Sequence, residues 1–158
     1  DWFTESFRFV LPGYNVRPLE MSGAIGSEQL KKWPQIEATR INNAKHFVDL
    51  FRNKPFLRIQ QIVGESSWFT FGIVLDGKLK GRRAEIIKAL DEAGIQNRPL
   101  ASRNFLKQPV MRDLDYIASG EMTAADDIHD NGFFVGNGSK DIRDELDQLY
   151  TTIVKFVK

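Results

Sequence analysis

Eight residues, Trp68 to Leu75, alternate clearly enough to limit what the rest of the chain can be. Phe69, Phe71, Ile73 and Leu75 fall on one side, and Trp68, Thr70 and Val74 on the other, which is the two-residue period of a strand. A strand with one strongly apolar side needs a second layer to cover it. The rest of the sequence supplies that layer as helices. After Pro34, Ile41, Ala44, Val48 and Phe51 recur at helical spacing, with Phe47 and Leu50 widening the stripe. Lys54-Pro55 closes that stretch, because the residue before a proline disfavours the helical region. Ile86, Ile87, Leu90 and Ala93 form another stripe, with Gly94 where a C-cap belongs. Ile142, Leu146, Leu149, Ile153 and Val157 form the last one, opened by Ser139 and Asp141.

The weaker signals fill in between. Phe7, Phe9 and Leu11 predict a short strand ended by Pro12-Gly13, and Leu57 with Ile59 predicts another. Ile95 to Pro99 and Phe133 to Val135 read as two more. Pro18 opens a helix in which Met21, Ala24 and Ile25 share a face and Ser22, Gly23, Ala24 and Gly26 are all small. Asp76-Gly77 is a turn, residues 100 to 121 are irregular, and Thr123 with Asp126 has the spacing of a capping box before the stop at Asn131-Gly132. Short strands mixed with amphipathic helices, without strict alternation, predict an α+β fold: a short, mostly antiparallel sheet packed with helices. One domain spans 1–158, with the helical segment 18–54 projecting from it.

Lys+Arg of 22 against Asp+Glu of 21, with no basic stripe, argues against nucleic acid as a partner. The absence of Cys removes disulfide scaffolds and thiolate metal sites. Asp1-Trp2-Phe3-Thr4-Glu5-Ser6 does not read as a signal peptide, and no apolar run approaches the roughly 20 residues of a membrane span, so a soluble chain is expected. His46 and His129 have no second ligand at metal spacing, and Asp113-Leu114-Asp115 reads as a solvated loop. Ser66-Ser67 lacks a G-x-S-x-G frame, no phosphate loop occurs, and Gly136-Asn137-Gly138 reads as a turn. Taken alone, the residues define an α+β domain without a complete active site.

One segment is more specific. Gly13-Tyr14-Asn15-Val16-Arg17-Pro18-Leu19-Glu20-Met21-Ser22-Gly23-Ala24-Ile25-Gly26, followed by Gln29-Leu30-Lys31-Lys32, resembles a signature of the sugar aminotransferases and sugar dehydratases of aminotransferase fold type I, the DegT/DnrJ/EryC1/StrS superfamily. There a G-Y-N-x-R turn leads into a small-residue helix. Gly64 to Phe69, Arg98-Pro99 and Asn104 to Pro109 resemble the branch of 3-dehydratases acting on nucleotide-linked 4-keto-6-deoxy sugars. Ordinary sugar aminotransferases usually carry a His-containing segment where this chain has Asn97-Arg98-Pro99-Leu100. The resemblance spans essentially the whole chain.

The resemblance implies the small C-terminal domain of a longer enzyme whose N-terminal cofactor domain lies upstream of Asp1. It implies pyridoxal 5′-phosphate or pyridoxamine 5′-phosphate as cofactor, a nucleotide-sugar substrate, glutamate as amine donor, a homodimer, and a cytoplasmic role in making deoxysugars for lipopolysaccharide O-antigen. The residue acting at the cofactor would be His in a dehydratase and Lys in an aminotransferase, and both lie outside this chain. The lysines here, as in Lys31-Lys32 and Lys78 to Lys80, sit in helices and loops with no setting that lowers their pKa. On this reading the chain alone is inactive. Two other readings stand beside it: a piece of a nucleotide-sugar aminotransferase, and a free-standing α+β binding or dimerisation module.

By the same resemblance Asn15 and Arg17 are the cofactor-binding candidates. Asn15 would reach the cofactor phosphate across the dimer, and Arg17 would pair with a phosphate or carboxylate in bidentate fashion. The plainer reading of Asn15 is a turn residue that caps backbone groups. Trp68, Arg98 and Asn104 are the substrate-binding candidates, Arg98 for the diphosphate. Against these stand a core Trp and an exposed strand Arg.

Overall fold

A computed structural model describes residues 2–13 and 18–158 of the chain. In order it contains α1 (Trp2–Glu5), α2 (Glu20–Leu30), α3 (Trp33–Phe51), β1 (Leu57–Ile59), β2 (Thr70–Leu75), α4 (Arg83–Glu92), β3 (Asn97–Arg98), α5 (Thr123–Asn131), β4 (Gly132–Gly136) and α6 (Arg143–Val154). Three short 3-10 turns occupy Gly77–Leu79, Phe105–Lys107 and Pro109–Asp113. The strands form one sheet in the order β1-β2-β4-β3, with every neighbouring pair antiparallel. This is the α+β arrangement expected from the sequence.

The register explains the core. Ile73 stands between Ile59 and Phe133, and Phe71 stands opposite Val135. Phe71, Ile73, Leu75 and Phe133 are fully buried. They meet Phe47 and Phe51 of α3, Ile86 and Leu90 of α4, and Leu146, Leu149 and Ile153 of α6 in one cluster. The Phe47 ring stacks on Phe71 with centroids 4.4 Å apart and packs on Phe51 at 4.7 Å. Burying a side chain of this size contributes about 1.5–3 kcal/mol. The other face of the sheet carries Gly72 and Val74. There α5 packs on β2 and β4, and Leu100 comes so close that a Cβ on Gly72 would lie 3.3 Å from its Cδ2.

Several expectations change. Residues 7–11 form no strand. Phe9 is instead held by a side chain, its N–H donating to Gln108 Oε1 (3.1 Å) while its carbonyl accepts from Val110 N–H (2.9 Å). Val110 lies in the 3-10 turn Pro109–Asp113, so its segment is not extended and cannot continue the contact as a ladder. In α2, Met21 and Ile25 are 70% and 62% exposed, and no residue of the helix is buried. Strand β2 begins at Thr70, because Trp68 adopts a left-handed backbone conformation (φ 49°). That turn breaks the alternation: Trp68 points inward and Phe69, expected beside Phe71, is 76% exposed. Thr123 and Asp126 form no capping box, since α5 has no side-chain cap and the Asp126 carboxylate is engaged by Asn104 and Lys107. Likewise α6 starts at Arg143, and Asp141 binds the Arg143 N–H and guanidinium.

Candidate functional site

An open groove of ≈ 940 Å³ lies between α3 and the segment Gly64–Trp68. Helix α3 lines it with Glu37, Ile41 and Lys45, Arg52 follows just past the helix end, and the segment contributes Glu65, Ser66 and Ser67. Ser66 Oγ accepts from the Trp68 N–H (3.1 Å), which leaves its own hydroxyl hydrogen available to donate. The indole of Trp68, 6% exposed, packs behind this wall against Phe47 and Phe71 at 6.1 and 5.8 Å. Trp68 is therefore mainly core, and it meets the groove only as part of the lining.

A pair of enclosed amides fixes this wall. Asn43 Nδ2 donates to Asn137 Oδ1 (3.1 Å) and to the Lys140 carbonyl (2.8 Å), and Asn43 Oδ1 accepts from the Ile142 N–H (3.3 Å). Asn137 Nδ2 donates to the carbonyls of Trp68 (2.8 Å) and Arg40 (3.1 Å), with Ser67 O at 3.4 Å, while its backbone N–H donates to Phe69 O (3.3 Å). Both side chains are almost completely buried, at 1% and 3% exposure. Sequence reasoning passed over both residues. The available signal was Asn43, which stands one helical turn before Phe47 and two before Phe51 on the core stripe. Asn137 was hidden inside a glycine-flanked turn.

The other substrate candidates lie elsewhere. Arg98 is exposed on β3, opposite Phe134, and borders a smaller concavity with Trp2 and Asp91. Asn104 is 5% exposed, and its groups are used locally: Oδ1 accepts from the Leu106 N–H (3.1 Å) and Nδ2 donates to Asp126 Oδ1 (2.8 Å). Asn104 thus caps the 3-10 turn that follows and ties it to α5. Trp68, Arg98 and Asn104 do not line a common concavity among the described residues. Asn15 and Arg17 lie outside the described residues.

Hydrogen bonds from Lys107 and then Asn104 hold the Asp126 carboxyl below its usual range. Hydrogen bonds from Lys80 and Arg58 do the same for Asp127, which bridges the β1 edge to α5. His129 is pushed below the ordinary imidazole value, first by burial and then by Arg103 and Lys107. No group of three or more acidic, His or Cys residues that could hold a metal occurs among the described residues. None of the described lysines is buried. Lys54, partly covered, lies over the Tyr150 ring, and Lys80 and Lys107 are paired with carboxylates. The described residues therefore offer no desolvated amine for covalent attachment of a carbonyl cofactor. No described helix is long and apolar enough to cross a membrane.

The model of the DegT/DnrJ/EryC1/StrS aminotransferase family matches residues 2–153. The chain belongs to that family. A curated family relative, GDP-4-keto-6-deoxy-D-mannose 3-dehydratase of Yersinia pseudotuberculosis, is 50% identical over 156 residues, covering 98% of this chain and 40% of the relative. A crystal structure of GDP-4-keto-6-deoxymannose-3-dehydratase with a trapped PLP-glutamate geminal diamine superposes with a TM-score of 0.80 at 46% identity, covering 96% of this chain and 40% of that one. A mutant of that dehydratase with bound GDP-perosamine gives 0.81 at 46% identity, covering 97% and 40%. The chain thus spans about 40% of the length of the family members it matches.

Proposed function

We propose that this chain is the small C-terminal domain of a dehydratase that uses pyridoxal or pyridoxamine phosphate to remove the C3 hydroxyl of a nucleotide-linked 4-keto-6-deoxyhexose. The observation that carries this reading is the 50% identity to such a 3-dehydratase along 98% of the chain. It is supported by the structures of that enzyme type with a PLP-glutamate adduct and with GDP-perosamine, which fit a nucleotide-sugar substrate and glutamate as the amine source. When bound, pyridoxamine phosphate supplies the amine that engages the C4 ketone and the conjugated ring that accepts electrons as the C3 hydroxyl leaves.

This chain's own part is binding and shape. Asn15 donates its amide N–H to the cofactor phosphate of a partner subunit in a homodimer, and Arg17 neutralises a phosphate or carboxylate beside it. Arg98 meets the diphosphate from the exposed edge of the sheet. Trp68 and Asn104 act on the substrate indirectly, one by backing the groove wall and the other by holding the 104–107 turn. The residue that moves the proton belongs to the remainder of the polypeptide, in the cytoplasm where the sugar nucleotide is made.

The test uses the full-length protein with GDP-4-keto-6-deoxymannose, glutamate and pyridoxal phosphate, with the sugar product read by mass spectrometry. Loss of the C3 oxygen, with ammonia released, is the expected result. A product bearing an amine at C4 with the C3 hydroxyl retained overturns the reading in favour of an aminotransferase.

A further inference from the structure

The enclosed Asn43–Asn137 pair serves one short segment. Through its side chain and backbone, Asn137 binds the carbonyls of Trp68 and Phe69 and reaches that of Ser67. Trp68 is held there with φ 49°, a left-handed region that bulky residues rarely occupy unless the surroundings impose it. The kink seats the Trp68 indole in the core against Phe47 and Phe71. An extended Trp68 would continue β2 and bring Phe69 onto the buried face with Phe71. The kink does the opposite, turning a large aromatic ring outward at 76% exposure while Ser66 and Ser67 face the groove. The Arg40 guanidinium lies 5.7 Å from the centroid of the exposed Phe69 ring, and its buried Nε has no hydrogen-bond partner among the described residues.

We propose that Asn137 is a positioning residue for substrate recognition: by locking the Ser67–Phe69 turn it presents Phe69 and the serine hydroxyls to the nucleotide-linked sugar. This rests on the function proposed above. The chemistry matches such a ligand. The Ser66 and Ser67 hydroxyls on the groove wall can exchange hydrogen bonds with sugar hydroxyls, and the exposed Phe69 ring with Arg40 beside it, outside the groove lining, offers a second face to a sugar or base. Strain held in place by a fully satisfied buried network is a common way to pre-organise a binding surface.

The test compares full-length wild type with Asn137→Ser and Phe69→Ala. The measurements are KM and kcat for GDP-4-keto-6-deoxymannose, equilibrium binding of the same compound, and amide exchange across residues 66–70. Asn137→Ser should speed exchange at the turn and raise KM about tenfold, with kcat changed much less. Phe69→Ala, which removes a ring outside the core of the described residues, should raise KM in the same sense with kcat changed much less. Wild-type affinity in both variants overturns the inference, and so does a loss confined to melting temperature. If Asn137→Ser fails to fold, Phe69→Ala decides. A wild-type protein that binds the sugar nucleotide without dehydrating it sinks the proposed reaction alone, and one that does neither sinks both.

Discussion

The two ends of β4 offer a matched pair of glycines with opposite surroundings. At Gly132 a Cβ would lie 2.5 Å from the Ile128 carbonyl oxygen and 2.8 Å from Leu100 Cδ1. Leu100 can rotate away. The carbonyl cannot, because it accepts the Gly132 N–H in the last turn of α5. Ordinary contact begins at 3.4 Å, so Gly132→Ala must open the helix–strand junction by about 0.9 Å. Forcing a methyl into a packed site costs about 1–3 kcal/mol, and losing glycine's freedom in the unfolded chain offsets about 0.4–1 of that. A net loss of about 1.3 kcal/mol corresponds to a fall of about 3–5 °C in melting temperature for a chain of this size. At Gly136 a Cβ meets nothing within 4 Å, so Gly136→Ala should melt at or slightly above the parent temperature. Thermal unfolding followed by circular dichroism measures both. A Gly132→Ala protein as stable as Gly136→Ala would refute the argument that the Ile128 carbonyl fixes the junction.

Two further outcomes follow from charge. Asp127 titrates below its usual range in the folded state because Lys80 and Arg58 bind it, so its stabilising contribution is complete above the ordinary carboxylate pKa and disappears as pH falls through the lowered value. Asp127→Asn should therefore be less stable than the parent near neutrality, by no more than about 1 kcal/mol because Arg58 and Lys80 are largely solvated, and urea unfolding should show the gap closing toward about pH 3. A gap that stays constant with pH would remove the ion pairs as its cause. In the full-length protein, Asn15→Ala should weaken retention of pyridoxal phosphate about tenfold, read by spectral titration, and unchanged affinity would count against a phosphate contact.

What the sequence revealed follows the length of the apolar pattern. The stripes of α3, α4 and α6 and the run Phe71–Leu75 repeat often enough for period to identify them, and each delivered its buried residues. Errors came where one backbone angle or one side chain outweighs a pattern. The left-handed Trp68 reverses the sides of Trp68 and Phe69, and the 3-10 turn Pro109–Asp113 with the Gln108 amide leaves Phe7–Leu11 without a ladder. Asp126 had the spacing of a cap, but its partners Asn104 and Lys107 are brought to it only by the tertiary fold. The family was legible in the signature from Gly13 to Gly26, but the groove between α3 and Gly64–Trp68 was not. The residues that shape it here, Asn43 and Asn137, are 94 positions apart, and no local period links them.

The strand order also gives residues 112–121 an unexpected weight. They are exposed throughout, the kind of segment that proteases open first. Strand β4 follows that segment in sequence, yet it lies between β2 and β3, which precede it. A single cut there would leave one piece holding β1, β2 and β3 with the lane between β2 and β3 vacant. The other piece would carry α5, β4 and α6, with the strand that fits the lane. The domain is in this sense a receptor and its insert on one covalent thread, and cleaving one solvent-facing loop turns its folding into an association whose extent depends on concentration.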